Sequence, residues 1–448
     1  MPPNVALTIC LLLISALLII ESRQKVEVSH GLWIPLLWVT IVASRTLSLW
    51  LNPGEMYADG GGDYESGNPV DRIFFSALIG ASLVVLARRK LSWGAIAREN
   101  FWLMALILLA GASVLWSDFP GVSFKRWIRS FGLVLTVLIV LTEKDSLQAL
   151  KRLFRRCIYV LIPLSVLFIK YFRHLGVGWD YMGNTMWYGV TTHKNSLGQL
   201  ACVSAIFLIW NIAQTWKEKN LLLWGDLVIL TMCLWLLNGS GMATSKTAIF
   251  LFFIGLTILI GMQRMRSNAR AAGKGLILVV VVFIFFNIIS DVFLGKSVVD
   301  MLIASSGRDE TLTGRTLLWE ELMRIAAQRP ILGRGYGSFW IGNVHGLWDK
   351  FGWGPESAHN GLLDVYLELG VVGVVMIAGL VVRAYLKILR DLGDRFELGR
   401  FELSLLVMSV IYNYTESSFL RPSSLLWIVL LLVSVDRGFG GAIGRRKL

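Results

Sequence analysis

Thirteen apolar runs, most of them long enough to cross a bilayer, constrain this chain more than any motif in it. They lie at about 5–20, 31–50, 72–87, 101–116, 124–142, 157–172, 196–213, 221–238, 246–263, 275–294, 360–386, 402–415 and 422–435. A helix needs about 20 apolar residues to cross about 30 Å of hydrocarbon. Inside hydrocarbon every backbone N–H and C=O must find a partner within the protein, so only helices and closed barrels span it. A barrel would alternate apolar and polar residues in short segments, whereas these runs are continuous. Only 16% of the 448 residues are charged and 55% are hydrophobic; about 25% charged is usual in a soluble domain. The chain therefore reads as an all-α polytopic membrane protein with about 12–13 transmembrane helices. The first run lacks a basic leader and an obvious small-residue cleavage site, so it reads as a span and not a signal peptide.

A net charge of +13 raises nucleic acid as a partner, but the charges are segregated by loop. Arg88-Arg89-Lys90, Lys151-Arg152 with Arg155-Arg156, Arg264 to Lys274, Arg383 to Arg390 and the tail Arg445-Arg446-Lys447 all fall on one side if the spans alternate. The positive-inside rule makes that side cytoplasmic. The basic balance is then a topology signal, and no nucleic-acid partner is expected. The N-terminus faces out, the C-terminus faces in, and the polar segments 51–71, 117–123, 173–195, 239–245 and 295–359 face out. Three regions follow: membrane helices over 1–294, a large outer loop over 295–359, and membrane helices with a basic tail over 360–448. No internal repeat is visible, which disfavours a transporter built from inverted repeats.

The outer segments carry the chemistry. In the long loop, Leu317, Leu318, Leu322 and Ile325 recur at helical spacing, with Glu320, Glu321 and Arg324 on the polar face. This predicts an amphipathic helix near the outer interface, ended by Pro330. Gly333, Gly335 and Gly337 then allow tight turns or a close approach to a ligand. No Gly-Lys-Ser/Thr follows them, so they do not form a P-loop. Trp340, Trp348 and Trp353 suit an interface belt or a sugar-stacking wall. His359-Asn360 opens the next run. A histidine there is usually structural, but a neutral imidazole can also accept a proton near neutral pH.

Arg315, Arg334 and Arg421 share that outer side, and the planar guanidinium fork suits phosphate. A second outer cluster is Thr192-His193-Lys194-Asn195, and Ser245-Lys246 opens the ninth run. Arg126 and Arg129 sit near the outer end of the fifth, beside Lys125, which reads as an interface anchor. Ionisable groups at membrane depth are functional candidates. Together these cations suit a lipid-linked pyrophosphate. The four cysteines, Cys10, Cys157, Cys202 and Cys233, fall in or beside apolar runs without metal or redox spacing, so neither zinc nor a disulfide is expected.

Gly314-Arg315-x3-Trp319, Pro330-x2-Gly333-x-Gly335-x-Gly337, His359-Asn360 and Glu368-x-Gly370-x2-Gly373 resemble the signature of the O-antigen ligase and Wzy polymerase superfamily. Thr192-His193-Lys194-Asn195-x2-Gly198 resembles its ExoQ-like exopolysaccharide polymerase branch. The resemblance covers about 110–420. It implies a GT-C-type glycosyltransferase of the bacterial inner membrane, with its site on the periplasmic face. The donor would be a glycan on undecaprenyl pyrophosphate, with no cofactor or metal. The acceptor would be another lipid-linked repeat or, for a ligase, lipid A core; a lipid-linked glycan flippase is the non-enzymatic alternative. Membrane lipids, a chain-length regulator and a flippase are the implied partners. By the same resemblance His359 and Arg315 are the catalytic residues. His359 takes a proton from the acceptor hydroxyl, and Arg315 stabilises the departing pyrophosphate with Lys246 and Arg126 or Arg129. His193, Lys194, Asn195, Arg334 and Asn360 complete the expected substrate-binding set. Lys246 stands where relatives often have arginine, which keeps the charge and loses the bidentate fork.

Overall fold

The computed structural model describes residues 1–24, 27–54, 67–179, 183–239, 243–276, 278, 313–343, 345–352 and 354–436; of 313–316 it describes only the helical backbone. The apolar runs become helices: α1 (Pro3–Ser22), α2 (Trp33–Val42), α3 (Leu47–Leu51), α4 (Pro69–Arg88), α5 (Trp93–Glu99), α6 (Phe101–Ala112), α7 (Pro120–Leu141) and α8 (Ser146–Tyr171). After the single turn α9 (Arg173–Gly176), β1 (Val177–Trp179) and β2 (Thr185–Trp187) pair antiparallel, with Gly178 opposite Met186. Then come α10 (Lys194–Thr215), α11 (Leu221–Asn238), α12 (Lys246–Arg264), α13 (Thr313–Ala326), α14 (Leu347–Phe351), α15 (Gly361–Asp394), α16 (Phe396–Thr415) and α17 (Leu425–Ser434). The run at 275–294, the loop stretch 295–312 and the tail Arg445-Arg446-Lys447 lie outside the described residues.

Among the described residues six helices are long and apolar enough to cross a membrane, and a seventh span forms if α5 and α6, bent by 93°, count as one. The chain is an all-α polytopic membrane protein. Helices α8, α15 and α16 continue past the ends of the apolar runs through charged residues, among them Arg152 and Arg155, Lys387, and Arg400. Those charges are partnered. Asp226 is fully buried and accepts from Arg155 Nη2 at 3.1 Å, Tyr159 Oη at 2.6 Å and Asn211 Nδ2 at 2.8 Å. Glu21 takes Arg152 at 2.7 Å and Arg156 at 2.8 Å, and Lys387 meets Glu402 at 2.7 Å. A buried charge survives only with such pairing. Removing one partner from a buried pair costs about 3–5 kcal/mol.

All ten residues of α17 are buried. A helix apolar all round belongs in the interior, and α17 is the core against which α7, α10, α15 and α16 pack. The four cysteines are buried and unpaired.

Helix α15 is broken at Gly370, whose φ of 63° and ψ of −164° leave the helical region. In an unbroken helix the N–H groups of Val371 and Val372 would bond the carbonyls of Leu367 and Glu368. Here a strap over residues 330–337 takes all four groups. Val371 N–H donates to Pro330 O at 2.9 Å and Val372 N–H to Ile331 O at 3.3 Å, while Leu367 O accepts from Arg334 N–H at 3.0 Å and Glu368 O from Gly335 N–H at 2.8 Å. The strap approaches so closely that a Cβ on Gly370 would lie 2.2 Å from Ile331 O, and one on Gly333 2.5 Å from the Glu368 carbonyl carbon. Of the strap glycines, open to turn or ligand roles in the sequence, Gly333 thus serves contact with the broken helix, while a Cβ on Gly335 would lie 2.5 Å from Ser117 and one on Gly337 2.7 Å from Arg126. Two motifs separated along the chain interlock here.

The helix predicted in the long loop is α13. Its apolar stripe does not lie on the outer interface: Leu318, Leu322 and Ile325 pack on Phe339, Leu347, Ala358 and Leu367. The strap folds the loop back over the top of α15, so the stripe finds protein before lipid. Burying each such side chain contributes about 1.5–3 kcal/mol. Leu317 and Met323 remain exposed.

Candidate active site

The start of α10, the start of α15 and the end of α16 meet at the end of the bundle that carries the long loop. Arg45, buried between helices, fixes the approach to α10. It donates to the carbonyls of Thr191 at 3.2 Å and Gly189 at 2.7 Å, and to that of Leu175. His193 then caps α10, its Nδ1 accepting Asn195 N–H at 3.1 Å. That acceptor role puts the ring proton on Nε2. Desolvation, with help from Lys194 and His359 and against the pull of Glu416, lowers the His193 pKa below its ordinary value.

The approach to α15 is clamped on both sides of the peptide chain. Ala358 N–H donates to Asp364 Oδ1 at 3.0 Å and Ala358 O accepts from Trp319 Nε1 at 2.6 Å. Asp364 also accepts from Trp340 Nε1 at 3.0 Å and from Arg421 Nη2 at 2.7 Å. The next residue, His359, is held at φ 48°, a left-handed conformation that side-chain-bearing residues rarely adopt. Such strain clusters at functional sites. Asn360 caps α15, its Oδ1 accepting from the N–H groups of Leu362 and Leu363, both at 3.1 Å.

The third component is Glu416. Asn413 folds the turn after α16 by accepting from Ser418 N–H at 2.8 Å and Phe419 N–H at 2.9 Å. A Cβ on Gly361 would lie 1.9 Å from Asn413 Oδ1, so only glycine lets α15 start this close to α16. The result brings Glu416 Oε2 within 2.9 Å of His359 Nδ1, while Glu416 Oε1 accepts from Asn195 Nδ2 at 3.0 Å. The sequence reading did not single out Glu416. The signal was present: a lone carboxylate at the end of an apolar run.

Beside this cluster, α10 and α12 start in contact. A Cβ on Gly198 would lie 2.6 Å from Ala248 Cβ and 2.9 Å from Ser245 Cβ. Lys194 and Lys246 therefore head two touching helices. Ser245 Oγ caps α12 by accepting Ala248 N–H at 3.4 Å, and Lys246 is exposed. Helix starts carry partial positive charge, so the pair of lysines adds to a field that already favours an anion.

The remaining predicted residues are spread around this centre. Arg315 lies in the first turn of α13, its side chain outside the described residues; Trp353 also lies outside them. Arg126 Nη1 donates to Gly337 O. Arg129 stacks over the Phe75 ring at 4.1 Å. Arg334 pairs with Asp118 at 3.2 Å and donates to Gln328 at 2.6 Å. In this geometry Arg126 and Arg334 hold the strap, and Asn360 holds a helix start. Tyr336, in the strap, bridges Ser130 at 2.5 Å and Leu420 O at 2.7 Å, and burial pushes its phenol up. Among the described residues no group of three or more His, Cys, Asp and Glu side chains is arranged to hold a metal ion.

The family model described as O-antigen ligase matches residues 231–378. That stretch contains Lys246, Arg315, the strap, His359 and Gly370, and stops before Glu416. The exopolysaccharide production protein ExoQ of Rhizobium meliloti (strain 1021) is 26% identical over 294 residues, covering 63% of this chain; the chain spans 64% of the length of that curated relative.

Proposed function

Taking this chain as an ExoQ-like member of the O-antigen ligase and Wzy polymerase superfamily, we propose that it is a membrane glycosyltransferase of cell-surface polysaccharide assembly. It joins oligosaccharide repeats carried on undecaprenyl pyrophosphate, on the periplasmic face of a bacterial inner membrane. The observation that carries this reading is the His359–Glu416 pair, 2.9 Å apart, beside two lysine-headed helix starts.

The chemistry follows from the pair. With Glu416 ionised, His359 carries its proton on Nδ1 and offers the Nε2 lone pair outward; the side chain is about a third exposed, at 32%. Nε2 takes the proton of the acceptor hydroxyl as its oxygen attacks the anomeric carbon. The glycosidic bond to the pyrophosphate breaks, and undecaprenyl pyrophosphate leaves with the bonding electrons. Attack from the face opposite the leaving group inverts the anomeric centre. Glu416 steadies the imidazolium that forms, as carboxylates do beside catalytic histidines. Lys194, Lys246, the starts of α10 and α12, and Arg315 stabilise charge growing on the pyrophosphate.

The test is purified protein incubated with lipid-linked repeats. New glycosidic bonds joining repeats support the polymerase. Transfer only to lipid A core would make it a ligase, and translocation without bond formation would make it a carrier.

A further inference from the structure

At the opposite end of the bundle, α10, α12 and α16 part around a crevice of about 540 Å³. Its wall is apolar, built from Ile209, Leu259 and Ile260, and its rim carries Arg264, Arg400 and Glu397. The charges at the rim are unequal. Glu397 takes Arg400 at 2.6 Å and Arg266 at 3.7 Å, and Arg400 Nη1 also donates to Leu259 O at 3.1 Å. Arg264 is exposed and has no carboxylate partner among the described residues. One carboxylate thus faces two guanidinium groups at the rim, and Arg266, outside the lining, draws on the same carboxylate.

The crevice also opens toward lipid. Phe250, Phe253 and Ile260 on α12 are exposed by 57%, 58% and 47%. Their spacing of three and seven residues puts them on one helix face. This outward stripe leads along the membrane segment to the crevice mouth. A solute from water would find the cationic rim but have no use for the stripe. A lipid uses both, its acyl chains along the stripe and its headgroup at the rim.

We propose that this crevice binds the headgroup of an anionic phospholipid. Arg264 supplies the open cation, Arg400 is held in place by Glu397 and Leu259, and Ile260 contacts the acyl chain. The site is independent of the glycosyltransferase reading, since it shares no residue with the candidate active site.

Native mass spectrometry of the full chain in detergent tests this, with dioleoylphosphatidylglycerol or dioleoylphosphatidylcholine added at equal concentration. The wild type should retain the glycerol lipid in preference to the choline lipid. Arg264→Gln should reduce that preference about fivefold, the worth of one basic side chain beside an anionic headgroup. Ile260→Trp, which fills the mouth without changing charge, should reduce retention of the glycerol lipid and keeps the test open should Arg264→Gln fail to fold. Equal retention of the two lipids by the wild type would overturn the proposal, as would an unchanged preference in folded Arg264→Gln. Displacement of the lipid preference by millimolar inorganic phosphate would assign the crevice to a soluble phosphate and overturn the lipid assignment.

Discussion

Glu416 holds the His359 imidazole through an Oε2–Nδ1 contact of 2.9 Å across 57 residues of sequence. The pair sets which ring nitrogen faces outward, so its two members act as one unit. His359→Ala should lower the rate of glycosidic bond formation by about 10²–10⁴-fold, the usual worth of general-base help. Glu416→Gln should lose less, and the double variant should be no slower than His359→Ala alone, because groups acting as a unit are not additive. Rate measurements on the three purified variants decide it; additive losses would separate the two residues.

Arg315→Lys tests the pyrophosphate contact. Lysine keeps the charge and loses the two-point fork. A large loss of polymer formation at normal protein abundance is expected. Full activity in that variant would rule out bidentate phosphate binding by Arg315.

The Gly370 break gives a stability prediction. Gly370→Ala places a Cβ against Ile331 O and forces alanine to a φ of 63°. Strain of this kind costs about 1–3 kcal/mol, and relief by straightening the helix would expel the strap. Proteolysis of residues 330–337 should accelerate. Gly80→Ala in α4, where a new Cβ meets nothing within 4 Å, should be neutral or stabilising by up to about 1 kcal/mol. Equal protection of the strap in both variants would contradict the interlock.

The His193 cap predicts a pH dependence. Its folded pKa is lowered, first by desolvation, from the ordinary 6.5. The unfolded chain therefore binds more protons between the two values, and stability rises with pH there. The penalty is absent above about 6.5 and grows as pH falls toward the folded value. A protonated Nδ1 also cannot accept Asn195 N–H, so the cap is lost. Asparagine caps without titrating, so unfolding midpoints of His193→Asn between about pH 5 and 7 should fall less than those of the wild type. Parallel curves would remove His193 as the source.

The apolar runs announced the helices because lipid and core both demand continuous apolar surface. They stopped short in α8 and α15, where Arg155 and Lys387 sit inside helices on the strength of partners Asp226 and Glu402, 71 and 15 residues away. His359 and the 193–195 cluster were visible because polar residues at span ends are few. Glu416 was not singled out: its partners, His359 and Asn195, lie 57 and 221 residues away, beyond any local periodicity. Nor does the sequence show the break at Gly370. The run through it stays apolar, and only the strap from 330–337 explains why a helix would open there.

The break also divides α15 mechanically. A continuous helix transmits rotation like a shaft, and adding one residue turns everything beyond it by about 100°. At Gly370 that transmission stops. The turns bearing Asn360 and Asp364 take their orientation from the strap's bonds to Leu367 and Glu368 and from Trp340 and Arg421, while the segment below meets the same strap through Val371 and Val372. Residues gained or lost in the lower segment beyond Val372 therefore leave the aim of His359 to the strap and its neighbours.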